Sequence, residues 1–62
     1  MFNNDLLSFT QYYEMKSKGL TSDGAAKEAR QQNLSDFLIV KMLREVFELS
    51  FEDASKVASD NQ

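Results

Sequence analysis

Three times along this chain a leucine precedes a hydroxyl residue, and a small or apolar residue follows four positions beyond the hydroxyl: Leu20-Thr21 with Ala25, Leu34-Ser35 with Ile39, and Leu49-Ser50 with Ala54. A helix start demands this spacing. The first backbone N–H groups of a helix have no partner within it, a serine or threonine at the N-cap accepts one of them, and the preceding apolar residue packs onto the fourth helical position. Ser50 through Asp53 also reads as a capping box with Asp in place of the usual Glu or Gln. A fourth start is expected at Asn3, with Phe2 before it and Leu7 at the stapling position.

With no Pro, only two Gly and no run of alternating apolar and polar residues, nothing suggests a strand. The spacing therefore predicts an all-α fold: a small compact bundle of four short helices over residues 4–18, 22–32, 36–48 and 51–59, forming a single domain across 1–62. In the first helix Leu6, Phe9 and Tyr13 fall on one face as the expected core side, with Tyr12 on its flank, and Gly19 supplies a left-handed stop that frees Leu20 to fold back. The second offers only Ala25, Ala26 and Ala29 to the interior, which permits close approach but buries little area and makes it the least stable of the four. The third is the expected centre, with Ile39, Met42, Leu43, Val46 and Phe47 on a broad apolar face and Lys41, Arg44 and Glu45 opposite. The fourth presents Phe51, Ala54, Val57 and Ala58, and Asp60-Asn61-Gln62 should fray.

A chain of 62 residues without Cys or His has no disulfide and no thiolate or imidazole metal ligand to brace it. Its stability rests on packing, and a core of this size supplies about 3–5 kcal/mol. The longest apolar run, Phe37 to Val40, is far too short to span a bilayer, and the opening Met1-Phe2-Asn3-Asn4-Asp5 lacks the basic and apolar segments of a secretory signal. The chain is expected to work in the cytoplasm. A net charge of -3 and a pI near 4.7 argue against an extensive nucleic-acid interface.

Residues 39–58 run Ile-Val-Lys-Met-Leu-Arg-Glu-Val-Phe-Glu-Leu-Ser-Phe-Glu-Asp-Ala-Ser-Lys-Val-Ala. This stretch resembles the helix-turn-helix of the C-terminal domain of the ribosomal stalk protein L7/L12, with Lys41, Arg44, Glu45, Leu49 and Ala54 at matching positions. Glu48 stands where that family has a turn glycine, and Ser55 where it has a lysine of the factor-binding surface. The flanking strands of that domain are absent. The resemblance implies a helix-turn-helix packing unit and does not extend to a ribosomal role. A similar local likeness to ubiquitin-associated three-helix domains carries the same implication. Residues 20–27 and 49–56 are also related at a spacing of 29, which the shared capping pattern accounts for without duplication.

The inventory offers little to catalysis. No His or Cys is present, and Thr21, Ser35 and Ser50 are already claimed as caps. A chain this short also has difficulty enclosing the ~300 Å³ or more typical of small-molecule sites. No enzyme activity, cofactor, metal or small-molecule substrate is inferred. The acidic group Glu45, Glu48, Glu52 and Asp53 lacks the alternating ligands and central Gly of a calcium loop and reads as solvated helix ends, with docking of a basic partner as its functional alternative. Tyr12, Met15, Phe37 and Val40 lie partly off the core faces, where they either anchor an interface or pack in a second direction. Together with the outward Lys41 and Arg44 they form the candidate partner-binding set. The expected function is a non-enzymatic protein-interaction module, a regulator or adaptor acting on another protein or on a second copy. The alternative is a helix-turn-helix-like DNA-associated regulator that uses Lys41 and Arg44 on phosphates.

Overall fold

Each connection between helices ends in a left-handed residue, a leucine and a hydroxyl residue. The computed structural model describes residues 9–62, which form α1 (Thr10–Ser17), α2 (Ser22–Gln31), α3 (Asp36–Val46) and α4 (Phe51–Asp60), with no strand among the described residues. After the C-caps Lys18, Gln32 and Phe47, the connections run Gly19-Leu20-Thr21, Asn33-Leu34-Ser35 and Glu48-Leu49-Ser50, and the first residue of each triplet has positive φ, at 101°, 65° and 58°.

The leading residue closes one helix and the hydroxyl opens the next. After α1, the Leu20 amide donates to the Met15 carbonyl at 2.9 Å and the Gly19 amide to Lys16 at 3.0 Å. After α2, Leu34 donates to Ala29 at 3.0 Å and Asn33 to Arg30 at 2.9 Å. Both are Schellman closures. After α3 the closure is looser, with Leu49 donating to Leu43 at 3.4 Å. On the other side of each leucine, Thr21 Oγ1 accepts from the Gly24 amide at 3.2 Å, Ser35 Oγ from Leu38 at 3.3 Å and Ser50 Oγ from Asp53 at 3.1 Å. Each cap stabilises its helix by about 1 kcal/mol. The side chains of Leu20, Leu34 and Leu49 are half-buried against the core. Gly24 makes room for one of them, because a Cβ there would lie 2.7 Å from Leu20 Cδ1.

Ile39, Met42, Leu43 and Val46 of α3 are the large side chains buried most completely, and they meet Ala25, Ala26 and Ala29 of α2 and Ala54 and Ala58 of α4 in one core. The alanines let α2 and α4 approach α3 closely, so few atoms suffice to exclude water. Polar ties span the same junctions. Arg30 at the end of α2 pairs with Asp36 in the first turn of α3 and donates from Nη2 to the Ala58 carbonyl of α4 at 3.1 Å. A cation at the carbonyl end of α4 also complements its helix dipole. Asn61 donates to Asp23 Oδ1 at 3.2 Å and to the Val57 carbonyl at 2.9 Å, so the end expected to fray is tied to the start of α2.

The first helix differs most from expectation. α1 begins at Thr10, because Phe9 is left-handed with φ 53° and caps it without a side-chain hydrogen bond. The expected stretch 4–8, together with Asn3, Phe2, Leu6 and Leu7, lies outside the described residues. The helix that starts after this left-handed cap buries a different tyrosine from the one expected. Tyr12, not Tyr13, then enters the core at 3% exposure, while Tyr13 is 47% exposed. Phe9 packs edge-on against the Tyr12 ring at 6.3 Å. The C-terminal part of α1 is moored to α3 by Lys16 Nζ, which donates to the Val46 carbonyl at 2.9 Å and stands 5.7 Å from the Phe47 ring centre.

α3 ends at Val46, two residues before the expected boundary, because Phe47 caps it and Glu48 turns left-handed. A residue with a Cβ carries about 1–2 kcal/mol of strain in that conformation, and Glu48 makes no ion pair among the described residues that would be lost on substitution. Glu48→Gly should therefore raise unfolding stability by about 0.5–1 kcal/mol, after the greater freedom of glycine in the unfolded chain offsets part of the relief. Chemical denaturation measures this, and a loss of stability would contradict the left-handed turn.

Candidate functional site

The outer face of α3 and the first turns of α4 line an open groove of about 570 Å³. From α3 it takes Asp36, Phe37, Val40, Lys41, Arg44 and Glu45, a stripe repeating every third or fourth residue, and from α4 it takes Phe51 and Ser55. The volume exceeds what the chain length suggested. The short connection sets α3 and α4 side by side, and the wall between them is open to solvent rather than enclosed.

Two large aromatic side chains stand at this groove with most of their surface in water, Phe37 at 74% exposure and Phe51 at 63%. Phe37 lies on α3 opposite the buried Ile39 and Met42. Phe51 was expected in the core, on the same face as Ala54 and Ala58. It occupies the first position of α4, and helical side chains lean toward the N-terminus. The ring therefore projects past the zone where the alanines pack and becomes a wall of the groove. That lean was the available signal, and periodicity alone missed it.

The groove brings together four of the six candidate partner-binding residues, Phe37, Val40, Lys41 and Arg44. Tyr12 and Met15 are elsewhere. Tyr12 is a core residue whose hydroxyl donates to Gln32 Oε1 at 2.9 Å, and the same oxygen accepts from Gln11 Nε2 at 2.6 Å. Burial raises the Tyr12 phenol above its ordinary value, helped by the nearby Glu28 carboxylate and opposed by the Gln11 amide. Met15 is half-buried and lines a shallower depression with Lys18, Gly19, Leu20, Gly24 and Glu28, which shares no residue with the groove.

The charges at the groove are mostly paired. Lys41 Nζ lies 3.1 Å from Glu45 Oε2, one helical turn along α3, and Asp36 is held by Arg30. Arg44 is exposed with no ion pair among the described residues. Glu45, Glu48, Glu52 and Asp53 do not converge, and no cluster among the described residues could hold a metal ion. No described helix is long and apolar enough to cross a membrane.

An aromatic residue kept in water by the fold contributes little to holding it together. Phe37→Ala and Phe51→Ala should each change unfolding free energy by no more than about 0.5 kcal/mol, whereas Met42→Ala should cost about 2–5 kcal/mol and leave little of the native state. Denaturant titration of the three variants distinguishes them. A cost at Phe37 or Phe51 equal to that at Met42 would place these rings in the core.

Residues 39–58 fold as most of α3, the turn and most of α4, with residue 48 left-handed. No protein-family model, curated protein or solved structure matches the chain.

Proposed function

We propose that this protein is a non-enzymatic interaction module that binds another protein through the groove between α3 and α4. The observation that carries this reading is the pair Phe37 and Phe51, each more than half exposed on opposite walls of one trough. Leaving such rings in water gains the fold nothing, whereas aromatic anchors in a depression are where binding energy concentrates at interfaces. The half-buried Val40 lines the same trough, and the polar residues at its margin resemble an interface rim.

The DNA-associated reading draws less support. A phosphate-binding stripe needs several uncommitted cations. On the α3 face that would carry it, Lys41 is engaged with Glu45, which leaves Arg44 as the cation there without an ion pair among the described residues. The Thr21, Ser35 and Ser50 hydroxyls serve as helix caps, which supports a structural rather than a catalytic role for these three.

A photo-crosslinking amino acid at position 40 tests the reading in the cell of origin. A discrete protein adduct is expected with the otherwise wild-type chain and should be lost when Phe37→Ala and Phe51→Ala are combined, with circular dichroism confirming that the variant is folded. The same adduct from the folded double variant would contradict the groove as the binding surface.

A further inference from the structure

The pairing of charges along the groove leaves one of them over. Asp36 is committed to Arg30 and Glu45 to Lys41, while Arg44 has no ion pair among the described residues. Among the described residues, an apolar trough on a chain of net charge -3 thus carries a single cation without an ion pair at its margin. Arg44 follows Phe37 by seven residues, two helical turns, which places it about 10 Å further along the same face of α3.

Resting on the groove reading above, we infer that the occupant is an amphipathic helix of a partner protein, seating apolar side chains against Phe37, Val40 and Phe51 and setting a carboxylate on Arg44. A helix satisfies its own backbone and can lie in an apolar trough that offers no sheet edge to an extended strand. The guanidinium accepts a carboxylate through two parallel hydrogen bonds, a match that a lysine-bearing helix cannot make and that charge repulsion would oppose. A single free cation also suits one carboxylate better than a run of phosphates.

The test uses the full chain and three synthetic helical peptides. All carry leucines at i, i+3 and i+4, with glutamate, glutamine or lysine about two turns away along the same face on either side. Binding is followed by amide NMR shifts. The glutamate peptide should move the signals of Phe37, Val40 and Phe51, the glutamine peptide should bind roughly threefold more weakly or worse, and the lysine peptide weaker still. In Arg44→Gln the three affinities should converge. Equal affinity of the glutamate and glutamine peptides for the wild type would overturn the charge selection while leaving the groove as a docking surface. Absence of binding, or shifts confined to residues outside the groove, would overturn the inference. Self-association of the wild type that excludes the peptides and disappears with Phe37→Ala and Phe51→Ala would assign the groove to a second copy and overturn it as well.

Discussion

Each corner of this fold is a three-residue device in which one leucine serves two helices. Its amide closes the helix behind it, as Leu20 does on Met15 and Leu34 on Ala29, and its side chain folds onto the core while the following hydroxyl opens the helix ahead. The left-handed residue before the leucine reverses the chain, and the N-cap fixes the direction of departure. With no disulfide available, and with two of the four helices presenting mainly alanine to the interior, these corners carry much of the specification of how the helices meet. Where a larger domain could rely on core volume to select one packing, this chain relies on repeated backbone closure at its turns.

The groove follows from the same economy. α3 holds the large buried residues, and its neighbours approach it closely because they offer alanines. A helix surrounded in that way still has an outer face. On α3 that face carries Phe37, Val40, Lys41 and Arg44 instead of a fully polar stripe. The last corner starts α4 with Phe51 at its first position, where the lean of the side chain carries the ring beyond the packed layer. The corner that positions α4 on the core therefore also supplies the second wall of the trough, so fold and candidate surface share one structural cause.

Helix class, three of the four helix starts and most of the α3 core were legible in the sequence because they depend on local rules, namely capping hydroxyls and apolar periodicity. Phase and context were harder to read. Apolar periodicity places Tyr13 inward with Phe9, but Phe9 is the left-handed cap of α1 and Tyr12 is the tyrosine that is buried. Phe51 satisfies the periodicity of the α4 core, yet a first-turn position lacks a neighbour to cover it. The ties made by Arg30 and Asn61 join residues 28 and 38 positions apart, beyond the reach of any local pattern. Of the candidate site, the α3 half was visible as surplus apolar residues beside Lys41 and Arg44, whereas Phe51 was hidden by its resemblance to a core residue.

Asn33 and Glu48 provide the most direct test of the corners, since neither is glycine and both are left-handed, with φ of 65° and 58°. The intraresidue amide-to-Hα nuclear Overhauser effect in the intact protein reports the sign of φ. Strong effects at both positions, well above those of the helical residues on either side, are the predicted result. Weak effects of the kind found throughout a continuous helix, at either position, would contradict the account.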